Sequence, residues 1–120
     1  MGLRKVWPHK PENIYLGKRK KHMSKFKSTR NHGFQLTFEN GWTISVQWGT
    51  GNYCERRDLH SGIDDDLKQV SVESGTAEIA IWNQAGTWYT FDDGQEVRGW
   101  LTPDEVAEWI EVTAFGMLVV

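Results

Sequence analysis

One cysteine, Cys54, stands in this chain of 120 residues, so no disulfide can form within it and a reducing, intracellular setting is the plain reading. Prolines are few as well. Pro8 and Pro11 lie near the N-terminus and Pro103 near the C-terminus, which leaves the middle of the chain free to form paired strands. No run of about 18 apolar residues occurs, so nothing in the sequence supports a membrane span. The basic residues near the N-terminus are not followed by the apolar core of a secretory signal. Beyond residue 30 positive charge is also rare: only Arg56, Arg57, Lys68 and Arg98 remain.

Motifs that would carry chemistry are missing too. Cys54 and His60 have no second C-x-x-C or H-x-x-x-H pair, so zinc is not expected. Asp64, Asp65 and Asp66 lack the spacing and closing glutamate of a calcium loop and read as a solvated turn. A nucleophile needs a base that is itself oriented, and no third group accompanies Cys54 and His60. The expectation is therefore no catalytic residue, no metal and no cofactor.

What is present is a sharp division of charge and a strong strand pattern. Residues 1 to 30 hold ten Lys and Arg against Glu12, while the other ninety hold four basic side chains against fifteen acidic ones. The basic part includes an irregular arm, residues 1–22, broken by its two prolines, in which Ile14-Tyr15-Leu16 could form a short edge strand. Met23-Ser24-Lys25 reads as a natural start, which would make that arm an upstream extension of a shorter protein. Lys18, Arg19, Lys20 and Lys21 form a run that suits a nucleic acid or, more simply, a solvated tail. Residues 23–120 read as a single α+β domain.

Within that domain Phe34, Leu36 and Phe38 alternate with polar residues, as do Trp42, Ile44, Val46 and Trp48. A three-residue loop, Glu39-Asn40-Gly41, pairs Phe38 with Trp42, Leu36 with Ile44 and Phe34 with Val46, with Gly41 in the left-handed position. A two-residue loop would set the apolar sides on opposite faces. Val70 and Val72, then Ala77, Ile79 and Ile81, then Thr87 to Phe91 read as further strands. Asp92-Asp93-Gly94 repeats the three-residue loop, a register that pairs Tyr89 with Val97 and sets Arg98 opposite Trp88 for a cation–π contact. Thr102-Pro103-Asp104-Glu105 is a capping box with proline in the first turn, and Val106, Trp109, Ile110 and Thr113 form one apolar stripe behind it. The apolar end, Phe115 to Val120, should pack on the sheet or in a subunit interface. The expected fold is an antiparallel meandering sheet of about five or more strands with one C-terminal helix packed on it.

Seven tryptophans exceed what a core of this size needs, which points to a ligand or an interface. The segment Gly49 to Arg57 leaves its strand through two glycines and ends in paired arginines. Arg56 and Arg57 suit phosphate, Tyr53 with Trp48, Trp82 or Trp88 suits a stacked base, and Asn52 suits a ribose or base edge, with Arg98 close by. The alternative is that the tryptophans are core and the arginines pair with Glu55 and Asp58.

The run GFQLTFENGWTISVQWGTGNYCERR, Gly33 to Arg57, resembles small uncharacterised bacteriophage proteins with a similar hairpin and G-x-G-N-Y-C-type loop. In size and setting the chain is loosely similar to phage anti-defence proteins that act as nucleotide sponges. That resemblance implies capture of a small nucleotide-like immune signal without cleavage, by a homo-oligomer, in the cytoplasm of an infected bacterium. The second expectation is an interaction protein that meets a host protein or DNA through its basic arm and exposed tryptophans.

Overall fold

The computed structural model describes residues 24–50, 52–55 and 72–118 of the chain. Five strands form one antiparallel sheet in chain order: β1 (Lys25–Ser28), β2 (Gly33–Thr37), β3 (Thr43–Gln47), β4 (Ala77–Trp82) and β5 (Arg98–Leu101). A single helix among the described residues, α1 (Pro103–Ala114), follows β5 and packs against β3, β4 and β5. The expected α+β meander is the observed one.

Three chain reversals are built alike. In Phe38–Trp42, Asn83–Thr87 and Phe91–Gln95 the first residue donates its N–H to the carbonyl of the fifth, at 2.9, 3.0 and 2.8 Å. The fourth residue, Gly41, Gly86 or Gly94, returns an N–H to the first carbonyl at 2.9 Å in each case. All three glycines have φ between 84° and 92°, a conformation that a side chain would strain. The first reversal fixes the register read from the sequence, with Phe34 opposite Val46 and Leu36 opposite Ile44.

Pairing then divides the side chains between two faces. Phe34, Leu36, Ile44, Val46, Ile79, Ile81 and Leu101 lie toward α1 and, with Phe91 and Val106, make the core. Gln35, Thr37, Thr43, Ser45, Gln47, Glu78 and Trp82 lie on the other face. Thr43 and Ser45 are buried there, yet both are satisfied. The hydroxyls of Thr37 and Thr43 meet at 2.9 Å, and the Gln47 amide donates to Ser45 Oγ at 3.1 Å and Thr29 Oγ1 at 3.0 Å. A lattice of short polar groups thus replaces apolar packing on this face.

Helix α1 begins as its sequence dictates. Thr102 Oγ1 accepts from the Glu105 N–H at 3.2 Å, and Glu105 Oε1 accepts from the Thr102 N–H at 2.9 Å. Val106 and Thr113 are buried, and Asp104 and Glu108 are exposed. Its end was not foreseen. Met117 N–H bonds Val112 O and Gly116 N–H bonds Thr113 O, both at 3.1 Å, with Gly116 at φ 66°, a Schellman closure. Asn40 completes it from the first hairpin loop, donating Nδ2 to the carbonyls of Thr113 at 3.0 Å and Ala114 at 3.1 Å. Leu118 packs against the core, as expected of the apolar end, but Met117 is exposed.

Three expectations need correction, and one strand carried no expectation at all. Strand β1 was not anticipated: Lys25–Ser28 carries one large apolar residue, Phe26, too little for an alternation. Thr87 to Phe91 forms no strand but a single bridge, Trp88 with Trp82. Tyr89 gives its N–H to Ile81 O at 2.8 Å, so β4 serves two partners in turn, Trp88-Tyr89 at one end and β5 at the other. Val72 lies in no strand, while Val70 is outside the described residues. Finally, Arg98 does not face Trp88. It is opposite Ile79, with its guanidinium 4.9 Å from the Phe91 ring centre and 2.6 Å from Asp92 Oδ1. An inserted residue between Ala77 and Ile79's partners shifts the β5 register and turns Arg98 toward the core side.

Candidate functional site

Among the described residues, the ligand side chains expected from the sequence do not gather at one point. Trp48 lies on the helix side, edge-on to Phe34 with ring centres 6.1 Å apart, and its Nε1–H is taken by Val72 O at 2.8 Å. Arg98 is engaged by Asp92 and Phe91 on that same side. Trp88 belongs to the opposite face, stacked on Trp82 with centres 5.2 Å apart and planes at 25°. Arg56 and Arg57 lie outside the described residues, as do His60, Asp64, Asp65, Asp66 and the run Lys18 to Lys21.

Asn52 is already occupied. Its Oδ1 accepts from Gly49 N–H at 2.9 Å and its Nδ2 donates to Glu78 Oε1 at 2.8 Å, pinning the loop to β4. Cys54 beneath it is wholly buried, its thiol directed to Gly49 O at 3.6 Å. Such a cysteine fills space as a small apolar side chain. Tyr53 is exposed, and its carbonyl accepts the Trp100 N–H at 2.9 Å. A side-chain carbon on Gly99 would stand 2.8 Å from that carbonyl oxygen, so glycine is what lets loop and strand touch.

Two hollows lie side by side on the face away from α1. One, of about 300 Å³, is lined by Gln35, Ser45, Gln47, Glu78, Trp82 and Trp88. Its neighbour, of about 380 Å³, is lined by Lys25, Thr37, Thr43, Trp82, Asn83 and Gln84. Trp82 is shared, so the stacked indole pair stands between amide, hydroxyl and carboxylate groups on one side and a lysine on the other. Trp88 is 41% exposed, which leaves ring surface available to a flat ligand. Amides and hydroxyls donate and accept, so such a face suits a planar, hydrogen-bonding molecule.

Of the sequence-derived residues that are described, Trp82 and Trp88 form part of this lining, and Asn52 touches it through Glu78. Gln35, Ser45, Gln47 and Glu78 were passed over. Their signal was the polar half of each strand's alternation, which places them together on one face once the apolar half is assigned to the core. A third hollow, of about 320 Å³ and mostly apolar, lies between sheet and helix beside Phe34, Val46, Trp48, Val106 and Ile110. Among the described residues no group of three or more His, Cys, Asp or Glu could hold a metal ion, and no helix is long and apolar enough to cross a membrane. No protein-family model matches this chain, and no curated protein and no solved structure is significantly similar to it.

Proposed function

We propose that this protein binds a small nucleotide-like ligand without cleaving it, and that the face bearing Trp82 and Trp88 receives the base. The observation that carries the reading is the stacked, half-open indole pair beside the amides of Gln35 and Gln47 and the hydroxyl of Ser45. Base stacking on an aromatic side chain contributes about 1–3 kcal/mol; the Gln35 amide supplies a donor and an acceptor for a base edge, and Gln47, whose Nε2 is spent on Thr29 and Ser45, adds its Oε1 as an acceptor. Arg56 and Arg57 hold the phosphates in this reading. The setting comes from the resemblance of Gly33 to Arg57 to small phage proteins: the ligand is an immune signal of an infected bacterium, and an oligomer withdraws it from circulation in the cytoplasm.

The test is native mass spectrometry of the purified protein after incubation with cyclic nucleotides and ADP-ribose derivatives, followed by release and identification of what is retained. An intact nucleotide on a defined oligomer supports the reading. Trp88→Ala should then weaken binding by roughly 5- to 150-fold, the equivalent of one lost stacking contact. Unchanged affinity would remove this face from the site, and a chemically altered nucleotide would make the protein an enzyme.

A second reading is favoured by Trp100, which is 53% exposed and held at φ 59°, outside the hollows just described. An exposed tryptophan is a common anchor of protein interfaces. In that reading the partner is a host protein or DNA.

A further inference from the structure

Among the described residues strand β1 ends the sheet on one side, and all four of its residues are exposed. Which of its backbone groups are spent follows from the turn beside it. Thr29 donates its N–H to Gly33 O at 3.0 Å, so Thr29 and Gly33 are a hydrogen-bonded pair. Hydrogen-bonded and open pairs alternate along an antiparallel ladder, so Lys27 with Gln35 and Lys25 with Thr37 bond to β2. The N–H and C=O groups of Phe26 and Ser28 therefore point away from the sheet, and no partner meets them among the described residues.

The side chains along this edge are ordered in the same way. Phe26 lies on the helix side opposite Leu36, beyond the reach of α1, and is 88% exposed. Lys25 and Lys27 lie on the other side. A second copy pairing symmetrically with Phe26 opposite Phe26 would set Lys25 opposite Lys27, a like-charge contact that antiparallel sheets avoid. An incoming strand that alternates acidic and apolar residues meets none of that repulsion. It would place carboxylates against both lysines and an apolar side chain beside Phe26.

We infer that the β1 edge is a docking site for an extended acidic peptide, which adds to the sheet as a sixth strand through Phe26 and Ser28. The acidic segment belongs to a partner protein, and the charge pattern Lys25-Phe26-Lys27 selects it.

The test uses the full chain and a fluorescein-labelled heptapeptide alternating glutamate and valine, with a lysine–valine peptide as control, read by anisotropy. The glutamate peptide should bind, more weakly as salt is raised, and the control should not. Hydrogen exchange at the amides of Phe26 and Ser28 should slow on binding, while those of Lys25 and Lys27 are already protected. Ser28→Pro removes an outward N–H without touching the β2 ladder and should weaken binding roughly tenfold. Lys25→Glu with Lys27→Glu should exchange the preference between the two peptides. Equal binding of both peptides, no binding, binding without protection of Phe26 and Ser28, or a dimer that Ser28→Pro dissociates would each overturn the proposal.

Discussion

Asn40 serves two parts of the molecule at once. Its Oδ1 accepts the Trp42 N–H at 2.9 Å within the first hairpin, and its Nδ2 closes the last carbonyls of α1. Those carbonyls have no intrahelical donor, so the amide replaces water at a helix end pressed against the sheet. Asp93 takes the matching position in the Asp92–Gly94 loop and accepts the Gln95 N–H at 2.9 Å, but it has no amide to offer a helix. Asn40→Asp is therefore a sharper probe than alanine. It keeps the turn bond and brings a carboxylate to the negative end of the helix dipole. A loss of about 1–3 kcal/mol in chemical denaturation is expected, larger than the loss for Asp93→Asn.

At the scale of elements, the interiors of the sheet and the start of the helix were legible in the sequence, and its margins were not. Leu36, Ile44, Val46, Ile79 and Ile81 announce two-faced strands, and Gly41 and Gly94 announce their turns. β1 escaped because an edge strand with one uncovered apolar side chain has no pattern to read. Trp88, Tyr89 and Phe91 misled because their alternation resembles a strand, although the chain leaves β4 after Tyr89. The candidate site was half legible. Aromatic content pointed to tryptophan, but Trp48 and Trp88 part company only when one knows which face α1 covers. Tryptophan at φ 59° in the shifted part of β5 has no sequence signal at all. Left-handed backbone costs a bulky residue about 1–2 kcal/mol. Trp100→Gly should thus raise the thermal midpoint or leave it unchanged despite the lost side chain. If the tryptophan anchors a partner, the same variant should weaken that association.

For the whole molecule the dominant fact is charge. The first thirty residues are strongly basic and the remaining ninety strongly acidic, within a chain of net charge −2. The segments that carry these charges can be separated experimentally. Removing residues 1–22 takes away seven basic side chains and one acidic one, leaving a protein of about −8. The truncated protein should keep its small-ligand affinity if the Trp82–Trp88 face is the site. It should lose affinity for polyanions, and in the full chain that affinity should fall steeply between low and physiological salt. Loss of small-ligand binding on truncation, measured by calorimetry on both forms, would move the site into the arm.

The bond between Asn40 and the end of α1 joins residues 73 and 74 positions apart, whereas each hairpin reversal closes within five. Local turns form on the microsecond scale, but contacts this distant wait until most of the chain is placed. The amide of Asn40 should therefore engage late, after the transition state for folding. Its removal would leave the folding limb of a chevron nearly unchanged and steepen nothing there, while the unfolding rate rises by the whole of the lost stability. One side chain in the first hairpin then governs how long the folded protein survives, and has little say in how quickly it is made.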